Sequence, residues 1–534
     1  MADFLVRGNL ASIDPAVAEI IQHEHARQFA KLIMIASEST APAAVLEAEG
    51  SVLQNLYAEG YPHPDAHNLP ETELLDYDEQ LALYRRYADR RYYKGVEYAN
   101  VIESLARRRG AELFCPEGLS PDQVYLNVQP LSGAVANTSV YEALVNEGDT
   151  VMGLDLLHGG HLSHGSPVNH SGRHHRIVFY RVNEKTELLD YDAIYDTAMK
   201  EKPRMIIAGY TSYPWAPDFE KFREIADAVG AYLLADISHV AGLAIAGVYP
   251  NPVGVAHVTT FTTHKTLMGP RGAVIVSTDE EIAHKIDRAV FPGEQGGPHM
   301  NKVAAIAVAF KLAAQPQFKQ LQRQIAANAV ALSDGFKANG LRVVHNGTNT
   351  HLVVLDCKSA ASYKGERLMG DAAARILDLA NIVCNRNTIP GDRDATRPSA
   401  LRFGTPWVSQ RGLKETDMHE IASVIASILK TAQPYTYVSP HATSYRAKVE
   451  FDKLVDGANR ISVLAHKAGM DASIPEDTYP HVWTSVVRAG SDQLQSIEVS
   501  GEHARNFLQN AVTSDVSMLN AEETQQGWIL EPDG

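Results

Sequence analysis

Cysteine is scarce: Cys115, Cys357 and Cys384 are the only three in 534 residues, they lie far apart, and no CxxC pair occurs. A disulfide-stapled framework and a thiolate zinc site are thereby excluded, and a reducing cytoplasm is the expected compartment. Long apolar runs are missing too. In the amino-terminal MADFLVRGNLASIDP, Arg7, Asn9 and Asp14 intervene before an apolar run develops, so no export signal is expected. The longest uncharged stretch, Ile237 to His264, is broken by Pro250, Asn251 and Pro252 and reads as enzyme interior, not as a membrane span. Positive charge is in deficit, with 48 Lys+Arg against 64 Asp+Glu and a net charge of −16. That balance argues against general binding to nucleic acid or to a membrane, and it requires anionic ligands to be held locally. Neither an internal repeat nor a low-complexity tract occurs.

Apolar residues make up 45% of the chain, enough for a sizeable core, and the length predicts about three domains. Helical periodicity over residues 15–58 predicts an amino-terminal helical arm, taken as 1–60. Seven short β-branched runs follow: QVYLNV (123–128), DTVMGL (149–154), RIVFYRV (176–182), RMIIAGY (204–210), AYLLAD (231–236), HVTTFTT (257–263) and AVIVST (273–278). Helix-length spacers separate most of them, which predicts an α/β fold with a mostly parallel, doubly wound sheet in a large domain, 61–300. Ligands of such sheets sit at the carboxyl ends of the strands. A smaller α+β domain is expected over 301–432, a linker over 433–483, and a separate piece over 484–534.

THKTLMGPRG (263–272) follows a predicted strand directly. A lysine there, flanked by Thr263, His264 and Thr266, can be desolvated until its amine is nucleophilic near neutral pH, as imine chemistry requires. Asp236 ends AYLLAD; a carboxylate at a strand end can keep a pyridine nitrogen protonated, though it can equally cap a helix. In QPLSGAVAN (129–137), Ser132, Gly133 and Ala134 can offer a hydroxyl and backbone N–H groups to a phosphate at a helix start. Together the three elements point to a pyridoxal-phosphate enzyme of fold type I, the aspartate-aminotransferase-like class.

The motifs IASES (35–39), LYAEGYP (56–62), RYYKGVEYAN (91–100), NVQPLSGAVAN (127–137), LLHGGHLSHGSPVN (156–169), ADISHVAGL (235–243), TTHKTLMGPRG (262–272), FPGEQGGP (291–298) and LRFGTP (401–406) closely resemble those of the serine hydroxymethyltransferase family. The resemblance implies interconversion of serine plus tetrahydrofolate with glycine plus 5,10-methylenetetrahydrofolate, with pyridoxal 5'-phosphate as cofactor and tetrahydrofolate as co-substrate. It implies that Lys265 forms the imine, Asp236 partners the pyridine nitrogen and His161 stacks on the ring. Ser132, Gly133 and Ala134 would hold the phosphate, with Thr211, His239 and His264 around the cofactor and Tyr57 and Gly297 contributed by a neighbouring subunit. Such sharing implies a homodimer, possibly a tetramer. Arg402 is similar to the arginine that grips the amino-acid carboxylate, and Ser37, Tyr57, Tyr93 and His239 complete the substrate shell. Glu59 resembles the glutamate that moves a proton at the serine hydroxymethyl oxygen and the folate, a task suited to a buried carboxyl; Tyr93 joins it as a catalytic residue. Tyr92, Leu156, Gly160, His161, Leu162, Asn387 and Glu59 are the implied folate contacts.

Rival expectations stand beside this one. A folate-independent aldolase of 3-hydroxy amino acids would use the same pocket, and a catalytically silent binding subunit would keep the fold alone. His158, His161, His164, His170, His174 and His175 could be drawn as a metal site, but no cysteine or carboxylate completes a ligand set, and no metal is expected. YRRYADRRYYK (84–94) mixes arginine with aromatic rings as a nucleic-acid surface would; an interface or a seat for the folate tail fits the acidic chain better. Four departures from the family pattern remain. His63–Arg90 is an insertion expected to extend the dimer interface or the folate mouth. Ser39-Thr40 replaces the usual Asn-Tyr, and GDRDATRPS (391–399) lacks the usual Ser-Pro-Phe. The stretch from 496 to 534 resembles the start of the folate-binding aminomethyltransferase of the glycine cleavage system, with Phe507, Leu508, Val512, Val516 and Leu519 in helical spacing.

Overall fold

The structure, a computed structural model, describes residues 7–87, 90–438 and 443–467. The aminomethyltransferase-like piece 484–534 lies outside the described residues. The chain divides into two compact units, one comprising residues 33–378 and 383–450, the other containing described residues 7–32, 379–382 and 451–467.

All seven predicted strands form, at β1 (Tyr125–Asn127), β2 (Thr150–Leu154), β3 (Arg176–Tyr180), β4 (Met205–Gly209), β5 (Tyr232–Asp236), β6 (Val258–Thr262) and β7 (Ala273–Ser277). They make one seven-stranded sheet in the order β1-β7-β6-β5-β4-β2-β3. Neighbours run parallel except at β7, which is antiparallel to both β6 and β1. Strands β4, β6 and β7 are buried along their whole length, the pattern of a sheet covered on both faces. Alternate residues divide between two apolar layers: Ile206 and Leu233 pack with Phe114, Phe261 and Phe310, whereas Met205, Ile207 and Leu234 pack with Val140, Tyr141 and Ile286. Helix Glu97–Phe114 lies close against the sheet at Gly110, where a Cβ would sit 2.3 Å from Leu126. Helix Met300–Ala313 packs on that helix and contributes Val303, Ile306 and Phe310 to the sheet core. It therefore belongs with the large sheet, although the expected small domain begins at 301.

The smaller layer is a three-stranded antiparallel sheet of β8 (Leu352–Asp356), β9 (Asn385–Asn387) and β10 (Ala400–Gly404), with β10 central. Helices Pro316–Ala338 and Glu415–Leu429 pack on each other. Two boundaries differ from expectation. The expected linker begins with a hairpin, β11 (Gln433–Val438) paired to β12 (Thr443–Lys448), followed by helix Phe451–Lys467. Tyr435, Thr436 and Tyr437 favour a strand, and this preference prevails over the turn-like Pro and Ser around them. The amino-terminal arm divides at residue 32 instead of ending at 60, because residues 33–60 belong to the larger unit. In the other unit, helix Pro15–Ala30 starts with Asp14 capping the Val17 N–H and Pro15 at the first position. Its Phe29 meets the ring of His466 edge-on at 6.1 Å, while Leu454, Ile461 and Leu464 supply a buried stripe on Phe451–Lys467. Among the described residues no helix is long and apolar enough to cross a membrane.

Candidate active site

The carboxyl end of β5 carries Asp236, buried in a ring of donors. Its Oδ2 accepts from Asn137 Nδ2 and His164 Nε2, both at 2.9 Å, and its Oδ1 accepts the Ser238 N–H at 3.0 Å. Burial alone would raise its pKa, yet the His164 hydrogen bond and the surrounding positive charge outweigh it and hold the carboxyl well below the usual range. Asp236 is therefore an anion with fixed orientation. It caps the local turn at Ser238 but not a helix, since the next helix begins at Ala241 with Val240 as its cap. Lys265, just past β6, is also buried. Desolvation, only partly countered by Asp236, brings its pKa down from 10.5 to about 8, so an appreciable share of the amine is neutral near physiological pH.

His161 caps the short turn Leu162–His164 through the Ser163 N–H, and its Nδ1 lies 2.8 Å from the Ser163 hydroxyl. Burial, with positive charge from His164, Lys265 and Arg402, lowers its pKa to about 4, leaving a neutral ring. His239 faces His351 at 3.2 Å; burial pushes His239 well below 6.5 and His351 to about 3. His264 falls to about 3, mainly through burial.

Ser132 caps helix Gly133–Leu144, turning the first N–H groups of that helix toward the strand ends. A Cβ on Gly133 would lie 2.7 Å from Thr262 Cγ2, so glycine permits the close approach of this turn to β6. Thr211 follows β4, with its N–H on Gly159 O at 2.7 Å, and among the described residues its buried hydroxyl has no hydrogen-bond partner.

Arg402 in β10 is buried, donating Nε to Asn385 Oδ1 at 3.1 Å and Nη1 to Thr211 O at 2.7 Å. Among the described residues no carboxylate pairs with it, and burial lowers its pKa to about 10. A buried guanidinium left with neutral partners is costly and suits an anionic ligand. The Ser37 segment runs beside it: Gly404 donates its N–H to Met34 O at 2.8 Å, and a Cβ on Gly404 would sit 2.3 Å from Ala36 Cα.

A second cluster forms around Glu59. Arg91, paired in full burial with Glu103 at 2.7 Å, donates Nη1 to the carbonyls on both sides of Glu59, Ala58 at 2.7 Å and Gly60 at 3.1 Å. Tyr92 N–H donates to Glu59 O at 2.9 Å. The Tyr57 and Tyr93 rings lie 4.7 Å apart, with Tyr92 5.8 Å from Tyr93, and desolvation and the Glu59 charge raise the Tyr93 phenol pKa. Gly296 and Gly297 border Glu59 and Tyr57 respectively. Among the described residues no hydrogen bond, ion pair or ring contact joins Tyr57, Glu59 or Tyr93 to Lys265, Asp236 or His161. The implied folate residues divide likewise. Tyr92 lies beside Glu59, whereas Asn387 is brought toward Leu156 by its neighbour Thr388, whose hydroxyl reaches Leu156 O at 3.5 Å. Gly160 is packed so tightly that a Cβ would meet Leu154 O at 2.0 Å, and Leu162 is exposed.

The insertion is anchored on its own chain. Glu71 pairs with Arg109 at 2.8 Å and Lys311 at 3.1 Å, His67 stacks on Tyr125 at 4.6 Å, and Tyr84 accepts the Gly95 N–H at 2.9 Å. The six clustered histidines disperse: His164 binds Asp236, His170 stacks on His174 at 4.2 Å, and His175 meets Tyr141 at 5.6 Å. Among the described residues no group of three or more His, Cys, Asp or Glu is placed to hold a metal ion. Four residues of the site escape sequence reasoning. His164 is three residues after His161, and Asn137 closes the SGAVAN motif, so both were within recognised motifs. Arg91 opens the RYYKGVEYAN motif, but its role, like that of His351, comes from contacts with residues outside that motif.

The pocket suits pyridoxal phosphate: a buried carboxylate for the ring nitrogen, a low-pKa amine, a capped helix start for the phosphate, and a buried Thr211 hydroxyl unpartnered among the described residues. A family model described as serine hydroxymethyltransferase matches residues 10–88 and 84–425, its two matches meeting at the end of the insertion. A serine hydroxymethyltransferase of Microcystis aeruginosa is 47% identical over 421 residues, covering 79% of this chain and 90% of the relative. Those of Nostoc punctiforme and a Synechococcus species are each 45% identical, covering 79% of this chain and 90% and 91% of their own. With the site's geometry and these matches in agreement, the chain belongs to the serine hydroxymethyltransferase family.

Proposed function

We propose that the two clusters are two halves of one active site, the Lys265 pocket handling the amino acid and the Glu59 loop, supplied by a partner subunit, handling the one-carbon unit. The enzyme itself is a pyridoxal-phosphate-dependent transferase interconverting serine plus tetrahydrofolate with glycine plus 5,10-methylenetetrahydrofolate. Bound at Lys265, pyridoxal phosphate supplies an electron sink for the pair released at the substrate α-carbon. Asp236 holds the proton on the ring nitrogen, its charge maintained by His164 and Asn137. Lys265 would hold the cofactor through the neutral amine that desolvation makes available. Arg402 and Ser37 orient the substrate by its carboxylate, and neutral His161 covers the ring without adding positive charge. Glu59 moves a proton at the substrate hydroxymethyl oxygen, with Tyr93 beside it.

The observation that carries this reading is the buried Arg402 guanidinium, without an acidic partner among the described residues and within electrostatic reach of a low-pKa lysine. The separation of the clusters supports a homodimer, and the free cysteines among the described residues fit a cytoplasmic enzyme. The altered loop 391–399 is held by Asp392, which accepts from Ser399 Oγ at 2.6 Å and from Ile389 N at 3.1 Å; this order supports a folate mouth there without the usual Ser-Pro-Phe. Titrating the glycine-loaded holoenzyme with tetrahydrofolate tests the assignment. Growth of a long-wavelength visible absorbance supports it; an unchanged spectrum with active cleavage of 3-hydroxy amino acids would favour the folate-independent aldolase.

A further inference from the structure

Gln410 ends the short helix Pro406–Gln410, six residues after the strand that carries Arg402. Its amide makes a two-point contact with the backbone of a single residue: Oε1 accepts the Thr40 N–H at 3.0 Å, and Nε2 donates to Thr40 O at 2.8 Å. The same Nε2 lies 2.7 Å from Met268 Sδ. Met268 occupies the left-handed region at φ 61 and donates its N–H to Lys265 O at 2.9 Å. One side chain thus touches the segment carrying Ser37 and the loop carrying Lys265, and extends from the element that follows Arg402.

The geometry of this contact bears on the carboxylate site. Residues 34–36 run against Gly404, which shares a strand face with Arg402 because it lies two positions on. Ser37 follows immediately, and Thr40 is where Gln410 fixes that segment. A two-point hold on backbone atoms needs no particular side chain at position 40, which suits the Ser39-Thr40 departure from the family pattern. We propose that Gln410 is a positioning residue that holds the Ser37 segment in register with Arg402, so that both address the substrate carboxylate. This rests on the reading of Arg402 and Ser37 given above.

The test compares two ligands of the holoenzyme: glycine, and methylamine, which has the amine without the carboxylate. Gln410→Met keeps the side-chain volume and removes the hydrogen bonds; Gln410→Ala removes both. Both variants should bind glycine roughly tenfold more weakly, from two lost hydrogen bonds, while methylamine affinity and cofactor content stay within about twofold of wild type. Unchanged glycine affinity in Gln410→Met would overturn the proposal, as would equal weakening of glycine and methylamine, which marks a general collapse of the pocket. Arg402→Ala, measured alongside, separates the two levels. If it loses glycine binding while the Gln410 variants keep it, the positioning role alone fails; if it keeps glycine binding, the reading of the pocket fails.

Discussion

The Lys265 pocket and the Glu59 loop are built on opposite principles. Lys265 and Asp236 are each 9% exposed and sit at the ends of buried strands, whereas Tyr92 is 82% and Tyr57 56% exposed on a loop. Burial in the pocket does chemical work: it lowers the lysine, neutralises His161 and leaves Arg402 short of a counter-charge. In the loop the backbone is the fixed part. Arg91 grips the carbonyls on either side of Glu59, so the loop presents rigid backbone and exposed side chains, as a preorganised surface awaiting a partner does. A sheet can complete a pocket within one chain; the loop is proposed to complete a pocket in another.

Variants can break that comparison. The largest effect is expected from Lys265→Ala. Borohydride reduction should fix pyridoxal phosphate to a Lys265 peptide in wild type and to no peptide in the variant, with turnover lost by several orders of magnitude. Next, Glu59→Gln should lose transfer to tetrahydrofolate by roughly two to four orders of magnitude, yet retain folate-free cleavage of a 3-hydroxy amino acid; equal loss of both would assign Glu59 to the pocket's chemistry. Arg402→Ala should raise the serine Kd by about two orders of magnitude, near 3 kcal/mol, while pyridoxal phosphate still binds, measured by equilibrium titration.

A pH series sharpens the same contrast with a smaller effect. Only the neutral Lys265 amine attaches the cofactor, so the rate of pyridoxal phosphate uptake by apoenzyme should rise with pH to a midpoint near 8 and fall as acid protonates the amine; a midpoint near 10.5 would show a solvated lysine. The smallest effect is expected from removing residues 468–534, since every residue assigned to the site, Gln410 included, precedes 411. Cofactor content and turnover should change little. Cutting at 445 should cost more, because it severs β12 and removes Ile461 and Leu464, which are buried in the amino-terminal unit.

The contrast also sets what was legible in the sequence. Strands such as MIIAG and VTTFT announce themselves because a sheet covered on both faces demands continuous β-branched and apolar runs, and Lys265 and Asp236 sit where such strands end. Catalytic partners drawn from one motif were half legible: His161 was assigned, but its neighbour His164, which grips Asp236, was not. His351 was illegible, since nothing local distinguishes a histidine that meets His239 across 112 positions; Arg91 lay in a quoted motif, but its buried partner Glu103 lies in the following helix. The hairpin at 433–448 was missed because proline and serine at its edges resemble a linker, while its pairing is a tertiary fact.

Mixing two inactive variants tests the division into two halves most directly. In a dimer of one Lys265→Ala chain and one Glu59→Gln chain, one site carries both substitutions and the other carries neither. Unfolding-free subunit exchange between the two variants should therefore restore folate-dependent serine cleavage to about a quarter of the wild-type rate at random assortment. Mixed dimers that form, shown by differential tags, but remain inactive would contradict the account and place Glu59 and Lys265 in the same chain's site.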